Sequence, residues 1–183
     1  TRTGYSFEGW FSEPNGDGAY ISEESLVSCD ISELYAKWKE IPYSIKFLSN
    51  DGCGFSEKQE TMYGTVVQLR KNSFSRIGYD FSGWARSEFG DVVFHDQNQV
   101  SNLTATGETV LLYAVWKGRN YDVVFHSNGG TGEMAVQNMT YGTVSPLAKN
   151  AFTRTGFSFH GWAETGAGAV IYRAQEEVLN LSS

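Results

Sequence analysis

Large apolar residues fall at every second position in several short runs of this chain. The runs "YSIKF" (43–47) and "YDVVF" (121–125) are rich in aromatic and β-branched residues. That is the pattern of strands with one buried face. Each is followed by an Asn- and Gly-bearing stretch, "SNDGCG" or "SNGGTG", which suits the positive φ of a tight turn. The segments "QETMYGTVVQL" and "QNMTYGTVSPL" then read as a second strand, with Tyr-Gly near its end, pairing with the first as a hairpin. Next, "RKNSFSRIG" and "AKNAFTRTG" end in a glycine expected to be left-handed. The phrase "YDFSGW" starts a third strand, with Tyr79 and Phe81 on one face and Asp80 and Ser82 on the other. Strict alternation turns Trp84 to the second face. Either a bulge at Gly83 swings the ring back into the core, or the ring covers the sheet's other side. The run "ETVLLYAVW" (108–116) reads as a last strand. Helix signals are confined to short stretches, Ile21 to Leu26 and Arg173 to Leu181.

The pattern is written more than once. "YSIKFLSNDGCG" at Tyr43 returns as "YDVVFHSNGGTG" at Tyr121, and "YGTVV" at Tyr63 returns as "YGTVS" at Tyr141. Trp84 is matched by Trp162, and "LYAKW" ending at Trp38 by "LYAVW" ending at Trp116, all at an offset of 78 positions. The phrase "TRTGYSFEGW" at the start is a third relative of "SRIGYDFSGW" (75–84) and "TRTGFSFHGW" (153–162). Such self-similarity is the signature of a repeat architecture. It divides the chain into residues 1–39, the second half of a first copy, residues 40–118, a complete second copy, and residues 119–183, a third copy without its last strand. Only "KEIP" (39–42) and "KGRN" (117–120) connect the copies. Four residues reach no further than about 14 Å, so successive copies are expected to touch end to end. The opening half-copy, Thr1 to Trp38, is expected to be the least stable part, and the chain reads as a segment of a longer protein.

Composition narrows the partners. The chain has 183 residues, 40% hydrophobic and 15% aromatic, so material for packed cores is ample. Net charge is −7, and no basic run could neutralise a phosphate backbone, so nucleic acid is not an expected partner. The same deficit argues against anionic membrane surfaces. The longest apolar run, "VLLYAVW", is far shorter than the roughly 20 residues of a spanning helix. No membrane insertion is expected within the segment. Cys29 and Cys53 form no metal-ligand or redox motif, and two unrelated thiols are the expectation.

The composite pattern "YxVxFxSNGGxG … YGT … NxFTRTGYxFxGW … VxNL … LYAxW" resembles the Listeria–Bacteroides repeat, the InlB B-repeat-like family, over nearly the whole chain. The pattern itself reads as a small, strand-rich α+β or all-β unit with at most one short helix; the resemblance implies an α+β class of tandem ubiquitin-like β-grasp repeats, here of about 78 residues in an elongated array. It also implies a bacterial cell-surface or secreted protein, with stalk, spacer and adhesion roles and no catalytic residues. The turns differ between copies, with Asp51 and Cys53 where the third copy has Gly129 and Thr131. That difference argues against a ligand site shared by both turns.

A repeated active site would place a reactive residue at matching positions, and none recurs. His95, His126 and His160 stand at different places in their copies. The acidic cluster Glu23, Glu24 and Asp30 has no counterpart elsewhere. "EPNGDG" (13–18) lacks the alternating ligands of a calcium loop and reads as a hairpin turn. The triplets at Asn102, Asn138 and Asn180 fit the glycosylation pattern, as chance alone would produce. No catalytic, cofactor or metal residues are expected, and binding residues are not identified. Trp10, Trp84 and Trp162 remain for weighing. They are expected to fill each copy's core, with Tyr5 and Phe7 also inward; the alternative is a carbohydrate-stacking ladder. The sequence thus points to a non-enzymatic module, extracellular or at the cell surface, with a protein or host-receptor partner. The alternative is a carbohydrate-binding module. Contacts are expected in the segments that vary between copies.

Overall fold

The computed structural model describes residues 1–22, 24, 25 and 32–181. Nearly all regular structure is β: β1 (Tyr5–Phe11), β2 (Tyr20–Ile21), β3 (Tyr35–Glu40), β4 (Pro42–Leu48), β5 (Ser56–Met62), β6 (Val67–Gln68), β7 (Tyr79–Ala85), β8 (Gln99–Val100), β9 (Thr109–Gly118), β10 (Asn120–Val123), β11 (Gln137–Thr140), β12 (Ser145–Pro146) and β13 (Glu177–Val178). One 3-10 turn, Pro14–Gly16, is the only helical element among the described residues. The helical part of the expected α+β class is therefore not present there; the strand-rich part is. The chain divides into two compact units, residues 1–74 with 82–115, and residues 75–81 with 116–183.

In the first unit, β1 lies between β2 and β3. The β1–β3 ladder slips at Glu8: Phe7 stands opposite Trp38, and Gly9 opposite Lys37. The bulge foreseen at Gly-Trp is thus present in this copy. Gly9, Gly83 and Gly161 all take extreme positive φ, 145°, 147° and 156°. A Cβ on Gly83 would stand 2.5 Å from Val92 Cγ1 and 2.7 Å from Phe94 O. The returning variable segment crosses at that point, and Trp84 bridges Phe94 as Trp162 bridges Tyr172.

The main sheet runs β5-β4-β9-β7. The foreseen hairpin is β4 against β5, Pro42 opposite Met62 through Leu48 opposite Ser56. The second strand does not continue through Tyr-Gly. It ends at Met62, Gly64 turns the chain at φ 82°, and Val67–Gln68 pairs instead with Gln99–Val100. β9 runs parallel to β4, with Ile45 opposite Val110 and Phe47 opposite Leu112. Tyr43, Ile45, Phe47, Leu69, Trp84, Leu112 and Ala114 form a closed core, each no more than 2% exposed. Phe47 and Phe74 meet the Trp84 ring edge-on, at 4.8 and 6.3 Å between centroids.

In the second unit, β10 pairs with β11 and β12 with β13. Met139, Leu147 and Val178 are buried, with Tyr121, Val123, Phe125 and Trp162 partly buried around them. The stretch Arg173 to Leu181 is not a helix. Gln175 and Asn180 take left-handed φ of 61° and 56°, Arg173 N–H bonds Glu176 Oε2, and Val178 is buried in the ladder to Ser145. Of the other helix candidate, Ile21 ends β2 and Ser25 N–H closes a turn onto Ser22 O; Leu26 lies outside the described residues.

Candidate functional site

Several polar side chains that recur between the second and third copies hold the backbone. Asn102 and Asn180 are left-handed (φ 53° and 56°), and their Oδ1 atoms accept the N–H of Gly64 and Gly142 at 2.5 and 2.6 Å. Gln59 donates to Gln68 O and accepts from Arg70 N; Gln137 does the same with Pro146 O and Ala148 N. Asn72 and Asn150 each close a loop onto the Phe two residues on. The Tyr43 and Tyr121 hydroxyls accept from Leu103 and Leu181 N. These groups satisfy backbone groups that the short strands leave unpaired, so they are committed to the fold. The glycosylation triplets at Asn102 and Asn180 thus coincide with two of these clamps, while Asn138 Nδ2 donates to Asp122 Oδ1.

The phrases "RTGY" and "YGT" also find a shared purpose. Gly4 is buried beneath the Tyr63 ring, where a Cβ would stand 2.2 Å from Cγ. Gly78 lies likewise beneath Tyr141, at 2.4 Å. Tyr5 meets Tyr63 edge-on at 5.7 Å, and Tyr79 meets Tyr141 at 5.2 Å. One backbone residue ties each corner: Ile41 N–H bonds Gly4 O while Ile41 O accepts Tyr63 N, and Arg119 does the same for Gly78 and Tyr141. The corner of one copy is thus the seat for the turn of the next. Guanidinium groups cover the outer rings, Arg2 over Tyr5 at 3.8 Å and Arg76 over Tyr79 at 4.2 Å.

The three tryptophans do not share one environment. Trp84 is core at 1% exposure, Trp162 is partly buried, and Trp10 is 47% exposed. Phe7 beside it is 49% exposed, so the expectation that Phe7 and Trp10 point into a core is corrected. The reason lies in their surroundings. Phe47 and Phe74, which enclose Trp84, have counterparts Phe125 and Phe152 against Trp162. At the offset of 74 between Trp10 and Trp84 those two positions fall before Thr1, outside the 183 residues, and Trp10 meets Phe7 edge-on at 5.4 Å.

Two concave apolar surfaces result. One, of about 480 Å³, is lined by Tyr5, Phe7, Trp10, Ala36 and Trp38 in the first unit. The other, about 750 Å³, lies in the second unit among Val123, Phe125, Leu147, Phe159 and Trp162. His126 and His160 border the latter, and both are exposed. The sequence left them apart; that both border one groove follows only from the fold. His95 is exposed, and its N–H bonds Asn98 Oδ1.

No group of three or more His, Cys, Asp or Glu able to hold a metal ion occurs among the described residues. Glu24 is exposed; Glu23 and Asp30 lie outside the described residues, as does Cys29. Cys53 is a free, exposed thiol. "EPNGDG" is the turn between β1 and β2, closed by Ser12 N–H to Ala19 O. The Tyr35 hydroxyl donates to Glu33 Oε2 at 2.5 Å, and that bond, with the carboxylate charge, raises its pKa. No helix among the described residues is long and apolar enough to cross a membrane.

The copies, their clamps and their spacing agree with the comparison to known families. The Listeria-Bacteroides repeat domain matches residues 1–37, 43–115 and 121–181, and the chain belongs to that family. Two proteins of Evansella cellulosilytica are each 30% identical to it over 88% of its length. They bear the names "Putative Gly-rich membrane protein" and "Putative membrane protein". The chain spans 18% of the first and 24% of the second. No solved structure matches the chain.

Proposed function

We propose that this chain is a non-enzymatic tandem-repeat segment of a bacterial cell-surface or secreted protein, serving as a spacer and a protein-interaction or adhesion module. Its divisions are residues 1–39, 40–118 and 119–183, each copy a β-grasp unit. The strand order of the middle copy supports that reading, since its first strand lies between its hairpin partner and a parallel last strand. The observation that carries the function is the commitment of recurring polar side chains to backbone clamps. What repeats maintains the fold, and what varies is left for contacts. The names of the two Evansella relatives are in keeping with a location at the cell envelope. A protein or host receptor suits an acidic surface with varied loops better than nucleic acid does.

Small-angle scattering tests the spacer role. A rod-like particle is expected; a compact globule sinks it. The exposed Trp10 and Phe7 favour one second reading, glycan binding at the first-unit face. A glycan array probed with the chain and with Trp10→Ala decides it: binding that the variant loses replaces the protein-partner reading.

A further inference from the structure

The corner between copies is a two-way contact. Tyr63 lies over Gly4 and Tyr141 over Gly78, and the reverse also holds. A Cβ on Gly64 would stand 3.1 Å from the Tyr5 hydroxyl oxygen, and one on Gly142 would overlap the Tyr79 hydroxyl. Each Tyr-Gly turn and each Gly-Tyr corner thus place bare backbone beneath the other's ring. Gly4, Gly64, Gly78 and Gly142 have φ of 77°, 82°, 78° and 80°. A side chain is therefore barred twice, by the backbone angle and by the facing ring.

Each half of the clasp is braced from its own side. Asn102 and Asn180, late in the copies that own the turns, accept the N–H of Gly64 and Gly142. On the corner side, Tyr5 N–H closes onto Arg2 O and Tyr79 N–H onto Arg76 O, both at 3.1 Å. Arg119 adds a tie at the second corner. Its N–H bonds Gly78 O, its carbonyl accepts Tyr141 N–H, and its Nε lies 2.7 Å from Asp80 Oδ1. The ring contacts run the same way: Tyr79 meets Tyr141 at 5.2 Å, and Phe81 meets Trp116 at 5.7 Å. Accordingly, residues 75–81, written in the sequence as part of the second copy, belong to the compact unit that holds the third. Residues 82–115, with the buried Trp84, belong to the other.

We propose that the reciprocal glycine–tyrosine clasp is a coupling device: the start of a copy's third strand is held folded by the copy that follows it. The boundary between cooperative units then falls inside β7, after Phe81, and not at the linker 117–120. With no side chain at either glycine, each ring rests on the chain itself, and close-packed contacts of that kind pass a displacement on without slack. In a linear array such a contact adds a nearest-neighbour contribution to the stability of the copies it joins. The coupling is independent of the spacer role, since it needs neither a load nor a partner.

Amide hydrogen exchange in the full 183-residue chain tests this, because it reads cooperative units one by one. Leu147→Ala thins the third copy's core at a buried residue outside the clasp. It should speed exchange at Met139 at least about tenfold, and at Tyr79 by a similar factor, while Ile45 and Phe47 stay within about twofold. Trp84→Ala should do the opposite, moving Ile45 and sparing Tyr79. Tyr141→Ala should itself speed exchange at Tyr79 about tenfold, and adding Leu147→Ala should then change Tyr79 less than about twofold. Tyr141→Phe keeps the ring and should preserve the coupling. Tyr63→Ala should act on Tyr5 as Tyr141→Ala acts on Tyr79. Three results overturn the proposal: a Tyr79 amide that stays put while Met139 responds to Leu147→Ala, one that follows Ile45 in Trp84→Ala, or Tyr141→Ala without effect at Tyr79. A joint rise of Ile45, Met139 and Tyr79 in both core variants also overturns it, since the chain would then open as a single unit.

Discussion

The second and third copies share their hairpin, their asparagine and glutamine clamps and their left-handed positions, yet one has a closed core and the other an open one. Burial differs even where the residue type is the same. Phe47 and Phe125 are the same residue type at matching positions; one is 2% exposed and the other is only partly buried. What separates them is β9, which lies parallel to β4; at the offset of 78 its counterpart would begin at position 187, past the 183 residues of this chain. A single strand carries both the central ladder of the sheet and the inward Leu112 and Ala114. The corner glycines differ in the same way. Gly4 and Gly78 are buried under tyrosines, while a Cβ on Gly156 would meet nothing within 4 Å and Phe157 beside it is 67% exposed.

That contrast can be broken most forcefully at the indoles. Trp84→Ala removes a fully buried ring and should cost about 3–5 kcal/mol in the first unit. Trp162→Ala, from a half-open core, should cost about half as much, and Trp10→Ala less than about 1 kcal/mol. Amide exchange at Ile45, Val123 and Trp38 reads each change separately, since unfolding of several units need not be two-state. Equal costs at Trp84 and Trp162 would mean that the third core is as closed as the second.

The corners offer a cleaner pair. Gly78 and Gly156 have nearly the same φ, 78° and 80°. Alanine therefore meets the same backbone penalty of about 1 kcal/mol at both. Gly78→Ala must in addition displace the Tyr141 ring, so it should cost about 1–3 kcal/mol more. Similar melting curves for the two variants would show that the tyrosine seat contributes little.

A smaller effect should appear at Thr61, which is buried with an Oγ1 that has no hydrogen-bond partner, where the third copy has Met139. Thr61→Val keeps the shape and removes the unsatisfied hydroxyl, so a gain of about 1 kcal/mol is expected in urea denaturation. The smallest effect is at Arg119, whose Nε lies 2.7 Å from Asp80 Oδ1 with both side chains largely exposed. Arg119→Ala should change stability by less than about 1 kcal/mol, and less again in high salt.

Much of this architecture was legible in alternation and turn chemistry. The hairpin β4–β5, the last strand β9 and the left-handed Gly78 and Gly156 follow from local pattern. The bulge was one of two solutions that the Gly-Trp pair allowed, and β1–β3 settles it for the first copy. The role of Tyr63 and Tyr141 was not legible, because it depends on a glycine from a different copy lying beneath each ring. The short run from Arg173 to Leu181 has apolar spacing that fits a helix or a strand. Positive φ at Gln175 and Asn180 decides for the strand; Asn180 is held by a long-range bond from Gly142 N, while the turn at Gln175 is closed locally between Arg173 and Glu176. Likewise, Trp10, Trp84 and Trp162 sit in one recurring phrase, but burial depends on which strands surround them. The groove beside Phe125 was invisible for the same reason.

The central claim is that one strand closes a copy's core. Its most direct test appends a second copy of residues 106–118 after Ser183, which continues the repeat in register at the offset of 78. Hydrogen exchange at Val123, Val124 and Phe125 is then compared with Ile45, Lys46 and Phe47. Slow exchange at the first three, approaching that of the second three, is the predicted result. Exchange at Val123–Phe125 that stays fast with the strand attached would contradict the account.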